Sequence, residues 1–307
     1  MSPQKKDLPE AKDPSAFVKI AVFDGGLMVG PGSFLVEGLK GVCNFNSWRF
    51  LITHEPSGTK LWFDLGLSSD LSQYSDFIRA NQVVLFKPQP PEQTVLENAR
   101  SVGVEADSIK HVIISHAHWD HVYPVGSFFP KANVICGPGS RRLTAESWPE
   151  HADSPFDSRV WNADKSELPL RELPMPDDDD EAEKGFWQRL GPFEHGHDFF
   201  GDGSFWLVRS PGHYPGHMVA LARTKNKAGE RRFVLLAADA LHCYHLLHYP
   251  AAPFGKGLPL NKTGTIHEDV DVARRDLENI AAVQEAYGKE LFVWPAHVDS
   301  LEGIWEF

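Results

Sequence analysis

"SHAHWDHVYP", residues 115–124, is the stretch on which the reading of this chain turns. It follows the apolar run "HVII" (111–114) and sets His116, His118, Asp120 and His121 within six positions. A short apolar run of this kind is a buried strand, so four metal-capable side chains stand at its mouth. Residues two apart in an extended segment share one side, which groups His116 with His118. Asp120 and His121 fall where the strand gives way to a turn or helix start. One zinc-type ion takes three or four ligands in all, so four from one short stretch, with more candidates elsewhere, predict two metals.

The further candidates also stand at strand ends. "SFWLVRS" (204–210) leads into His213, "RFVLLAAD" (232–239) ends in Asp239, and "LFVWPAH" (291–297) ends in His297. A single histidine after a strand is usually an ordinary core or surface group. Its recurrence, headed by the dense cluster, points instead to one cleft served by several strands. Other strand-like runs are "FVKIAVFDGG" (17–26), "RFLITHE" (49–55), "KLWFDLG" (60–66), "ANVICG" (132–137) and "MVALAR" (218–223). Helical spacing occurs in 92–103 and again in 269–287, where Val272, Leu277, Ile280, Ala281 and Ala286 supply the apolar positions and Gly288 the stop. Strands dominating each half, with helices after or between them, predict a layered α/β or α+β domain rather than a bundle. The expected organisation is a flexible N-terminal arm over 1–16 and a single domain over 17–307. Residues 149–200 hold six prolines and the acidic run "DDDDEAE" (177–183), read as a solvated loop; whether this stretch is a lid stays open.

Composition narrows the function. The net charge is −12, without the basic footprint that nucleic-acid binding leaves. No apolar run approaches the ~20 residues of a membrane span, and the polar start "MSPQKKDLPEAKDPSAF" reads as no secretory signal, so the expected location is the cytoplasm, with no membrane partner. Cys43, Cys136 and Cys243 are odd in number and widely spaced, and read as reduced thiols.

"HAHWDH", "SPGHYPGH", Asp239 and "PAH", in this order, resemble the metallo-β-lactamase superfamily over roughly residues 17–300. The resemblance implies an α+β, four-layer αβ/βα sandwich: two mixed sheets, flanking helices, and a dinuclear site at one edge. It implies His116, His118 and His213 on one ion, Asp120, His121 and His297 on the other, and Asp239 bridging both. It further implies a supporting role for His217 and Asp64 behind the ligands. Such a donor set suits two zinc ions and tolerates iron, manganese or cobalt. The chemistry implied is hydrolysis by a metal-bridging hydroxide, with Asp120 as ligand and proton shuttle.

Within the superfamily, the quorum-quenching lactonase-type branch is the nearest in pattern, through "PGHYPGH". That branch commonly carries a tyrosine three residues after the bridging aspartate, assisting the substrate carbonyl. Here His242 stands at that position and is expected to take the catalytic donor role. The segment after Asp239 places His242, His245 and His248 among Tyr244, Leu246 and Phe254. It reads as a substrate-facing wall formed by Tyr244, His245, Leu246 and Phe254, as a surface loop, or as a third metal site. The expected function is opening of a cyclic ester or cyclic amide of a small apolar or aromatic substrate, in a degradative or detoxifying role. A glyoxalase II-type thioesterase is the alternative and a phosphodiesterase the third reading. The oligomeric state is not legible.

Overall fold

The computed structural model describes residues 7–176, 184–259 and 261–298. Among them, twelve strands build two six-stranded sheets. The first sheet holds β1 (Val18–Pro31), β2 (Val42–His54), β3 (Lys60–Phe63), β4 (Ile109–Ile114), β5 (Asn133–Cys136) and β6 (Leu170–Glu172), side by side in that order. β1 to β3 are antiparallel and β3 to β6 parallel. The second holds β7 (Gln188–Leu190), β8 (Phe193–Asp198), β9 (Phe205–Arg209), β10 (Met218–Lys225), β11 (Arg231–Ala238) and β12 (Leu291–Pro295), also in order. Its pairs are antiparallel except β11 with β12.

The layering follows from strands that are apolar on both faces. Successive strand residues point to opposite sides. Phe50, Leu61, Phe63 and Ile113 of the first sheet thereby meet Phe205, Leu207, Ala220 and Leu236 of the second in one core between the sheets. The alternate residues Leu51, Trp62, Val112, Val208, Leu221 and Leu235 join the outer apolar cluster under the helices. Strands buried on both faces read as continuous apolar runs, which is why they were legible. Two mixed sheets with flanking helices form the expected α+β sandwich.

The long helix, Val270–Tyr287, is capped by Asp269, whose side chain accepts from the Val272 N–H. Its buried face is Ala273, Leu277, Ile280 and Val283. The expected face is therefore rotated: Val272 lies at its margin and Ala286 is exposed, because the N-terminal end of the helix turns Ala273 toward Gly212. A shorter helix, Val95–Ser101, opens with a capping box between Thr94 and Glu97. β7 and β8 were not anticipated. In β8 the buried positions are Phe193, Gly196 and Asp198, so the usual apolar alternation is masked.

The expected arm is fastened to the fold in its described part. Leu8 is buried and its N–H donates to the Tyr287 hydroxyl at 2.8 Å. The Arg223 guanidinium donates to the carbonyls of Ala16 (2.5 Å) and Pro14 (2.9 Å). Residues 1–6 and the acidic run 177–183 lie outside the described residues. No described helix is long and apolar enough to cross a membrane.

Candidate metal centre

The strand ends converge. Asp64 directly follows β3, His116 lies two residues past β4, His213 four past β9, Asp239 directly follows β11, and His297 lies two past β12. Two of these departures use left-handed backbone: φ is 56° at Asp64 and 43° at Ala238, just before Asp239. Residues other than glycine rarely adopt that conformation, and it concentrates at functional sites. The glycines of "PGHYPGH" answer a spatial demand. A Cβ on Gly212 would fall 2.1 Å from the backbone nitrogen of Ala273, and Gly216 has φ of 82° against Ser140. Only glycine lets this loop close on the long helix and present His213 and His217.

Three groups of ligand-type atoms result, each with its atoms within 4.8 Å of one another: His116, His118, His213 and Asp239; Asp120, His121 and His297; and Asp239, His242 and His297. The Nε2 atoms of His116 and His213 lie 2.8 and 3.1 Å from His118 Nδ1. Asp239 spans the groups. Its Oδ2 is 3.3 Å from His213 and 3.2 Å from His297, and its Oδ1 is 3.1 Å from His121. Asp120 Oδ2 reaches His121 at 3.4 Å and His297 at 3.3 Å. His121 Nε2 and Asp239 Oδ1 are buried and find no hydrogen-bond partner among the described residues. At 3.1 Å but out of hydrogen-bond alignment, they are disposed like two ligands turned toward an ion rather than toward each other. The residues present thus fit divalent metal binding, and a mixed imidazole–carboxylate set is the chemistry such ions take.

Behind these atoms, the opposite edge of several rings is held. Asp64 accepts from His121 Nδ1 at 2.8 Å and from the Ser115 N–H and hydroxyl at 2.7 Å each. His297 Nδ1 donates to the Asn46 carbonyl at 2.8 Å. His217 uses both nitrogens: Nδ1 donates to the Ser210 carbonyl at 2.8 Å and Nε2 accepts from the Asp239 N–H at 3.1 Å. Such contacts fix which nitrogen carries the proton and which offers a lone pair.

Electrostatics divides the histidines. Burial lowers His118 to about 4 and holds His116 and His213 well below the ordinary imidazole range, so all three offer neutral lone pairs. Burial works against protonation of His121 too, yet Asp239, Asp120 and Asp64 raise it well above that range. His297 is likewise raised, against burial, by Asp239 and Asp120. Burial would raise Asp239, but the imidazoles of His297, His121 and His242 keep it well below the usual carboxylate range. A cation bound at His121 and His297 would have to displace protons.

Above these side chains opens a cleft of about 240 Å³. Its walls include Phe34, Phe45, Phe77, Phe86, Trp119 and Phe156, and no lysine or arginine among the described residues. His118, Asp120, His213, Asp239, His242 and His297 form its polar floor. The expected wall after Asp239 is corrected. Residues Tyr244–His248 form a short helix that carries the segment away from the cleft. The Tyr244 hydroxyl donates to the Val293 carbonyl at 3.1 Å, Leu246 is fully buried, and His245 and His248 are exposed. Phe254 is buried against the His267 ring and under the Arg274 guanidinium. No group of metal-capable side chains among the described residues includes His245 or His248. Only His242, the first residue of the series, faces the floor.

Sequence reasoning missed the actual wall. Phe34, Phe45, Phe77 and Phe86 come from the first 90 residues, where nothing local marks them. Phe156 comes from the proline-rich stretch. Trp119 lies inside the "HAHWDH" motif and was available there. His267, fully buried with ring centroids 5.3 Å from His213 and 5.8 Å from His242, follows no strand and carries no motif.

Residues 88–227 match the profile of the Metallo-beta-lactamase superfamily. The chain is 33% identical over 238 residues to the metallo-hydrolase mfmC of Annulohypoxylon moriforme, covering 75% of this chain and 58% of that protein. It is 34% identical over 234 residues to the gamma-lactamase FDB1 of Fusarium pseudograminearum, covering 74% of this chain and 53% of that protein. The match thus spans little more than half the length of these relatives. Among solved structures, a B. thuringiensis AiiA variant with N-decanoyl-L-homoserine bound at its active site superposes with a TM-score of 0.64, at 18% identity, over 95% of this chain and 99% of that one; that is a likeness of fold.

Proposed function

The chain belongs to the metallo-beta-lactamase superfamily, and on that premise we propose that it is a dinuclear metal-dependent hydrolase, most naturally of zinc, that opens a cyclic ester or cyclic amide of a small apolar or aromatic substrate. The observation that carries the reading is eight metal-capable side chains, six imidazoles and two carboxylates, gathered under an apolar, aromatic-walled cleft. The gamma-lactamase relative supports this reaction class. Divalent ions would be held by His116, His118 and His213, by Asp120, His121 and His297, and by Asp239, and would supply Lewis acidity and an activated water.

The chain's own residues account for the rest. The aromatic walls bind and desolvate a flat or apolar ring, as small-molecule clefts do. The absence of lysine and arginine from the described walls disfavours a phosphodiester or a polyanionic thioester. Asp120, buried at the floor with its carboxyl kept low by His121 and His297 against the effect of burial, is placed to take a proton and pass it to the leaving oxygen or nitrogen. Asp64 and the Asn46 carbonyl keep His121 and His297 in the orientation ligation needs.

The test is a hydrolysis panel on the metal-loaded protein: aliphatic and aromatic lactones, benzo-fused lactams and cyclic carbamates, a glutathione thioester and a phosphodiester. The expected result is turnover of a lactone or lactam, abolished by a chelator and restored by metal. Preference for the thioester or the phosphodiester would overturn the proposal.

A further inference from the structure

We propose that His242 is itself a ligand of the second ion, beside His297, and not a donor to the substrate carbonyl; this rests on the dinuclear reading above. His242 Nε2 lies 3.2 Å from Asp239 Oδ2, the oxygen that His297 Nε2 approaches at the same distance. The ligand-type atoms of Asp239, His242 and His297 form a group of their own, within 4.8 Å of one another. Ligands held about 2.0–2.1 Å from one ion stand roughly 3–4 Å apart, so the spacing is that of shared coordination. The His242 ring stacks against the His297 ring at 24° with centroids 5.2 Å apart. A donor to substrate would turn a nitrogen to the open cleft. Here Nε2 faces the carboxylate instead, and the whole side chain is 5% exposed.

The far edge of the ring is unpaired. His242 Nδ1 is buried without a hydrogen-bond partner among the described residues, as are both nitrogens of His267, whose ring stands edge-on to His242 with centroids 5.8 Å apart. The Phe254 ring packs against His267, and the Arg274 guanidinium lies over Phe254.

The consequence is an asymmetric pair of sites. The first would have four donors, His116, His118, His213 and Asp239; the second would have five once the group Asp120, His121 and His297 is joined, through His297, to the group Asp239, His242 and His297. Zinc favours four-coordinate tetrahedral shells, whereas iron, manganese and cobalt accept five or six ligands. The second position therefore takes cobalt or manganese in preference to zinc more readily than the first does.

The experiment is a cobalt titration of the metal-free full chain, followed by visible absorption. In His242→Phe, which fills the ring's space without a donor, the first ion binds as in the wild type. The Kd of the second rises by about tenfold or more, at least the loss seen when a group merely supporting a ligand is removed. Its d–d bands intensify, as they do when cobalt loses a ligand. His242→Glu, whose carboxylate reaches the same point, regains much of the second-ion affinity. Second-ion affinity and spectrum unchanged in His242→Phe would overturn the proposal and return His242 to hydrogen-bond donor. If His242→Phe does not fold, His242→Gln is compared with His242→Glu, and equal second-ion affinities overturn it equally. A wild-type protein binding one ion would instead overturn the dinuclear reading, and this proposal with it.

Discussion

Asp64→Asn isolates the link between a carboxylate that touches no proposed ion and the second metal position. Asp64 Oδ1 accepts the Ser115 N–H, while Oδ2 accepts the Ser115 hydroxyl and His121 Nδ1, all at 2.7–2.8 Å. Asparagine tolerates the left-handed backbone as aspartate does, so φ of 56° adds no strain. Its amide keeps one acceptor. With that oxygen on the Ser115 N–H, the NH₂ faces the Ser115 hydroxyl, which can turn and accept, and His121 Nδ1. To accept in turn, the imidazole must shift its proton to Nε2, the atom 3.1 Å from Asp239 Oδ1 and 3.4 Å from Asp120 Oδ2. A protonated Nε2 cannot ligate. Losing such a supporting partner costs 10–100-fold in metal affinity, or about 1.4–2.8 kcal/mol. The buried mismatch costs roughly 1–3 kcal/mol of fold stability, so the variant remains folded. Cobalt titration should show the first ion bound as before, the second weakened, and turnover recovered at saturating metal. Wild-type affinity for both ions, or equal weakening of both, would refute the reasoning.

Asp239→Ala should empty both positions together, since one carboxylate faces both groups; metal analysis showing one retained ion would deny the bridge. Asp120→Asn, loaded with metal, should lose ~10²-fold or more in turnover, the scale of a missing acid–base group; wild-type rates would remove Asp120 from the proton path. The metal-free protein should lose stability as pH falls below about 6.5, the ordinary imidazole value. Burial holds His118 at about 4 and His217 at about 3, so the unfolded chain binds protons that the folded chain refuses. Stability is thus present above the unfolded value and lost toward the folded ones, by about 2 kcal/mol for each group at pH 5. His121 and His297, raised, carry the opposite sign and lose their contribution as pH rises. A melting temperature flat between pH 7 and 5 would contradict the balance.

The sequence alone determined the strands that carry the site and the side chains at their ends. "KHVIISHAHWDH", "FVLLAAD" and "LFVWPAH" are local signals, because a strand buried on both faces needs an unbroken apolar run and a ligand must follow it closely. The long helix was legible by its period, and its exact face was not, since the approach of Gly212 to Ala273 sets the rotation. Tertiary structure alone decided the cleft. Phe34, Phe45, Phe77, Phe86 and Phe156 reach it from segments with no shared pattern, through strand register and sheet-on-sheet packing that no local window contains. It also decided the segment after Asp239. There the spacing of His242, His245 and His248 looked like one surface, but a short helix turned His245 and His248 outward and left His242 beside Asp239. Which way a histidine points depends on the chain packed behind it, and that chain, as with His267, comes from elsewhere in the sequence.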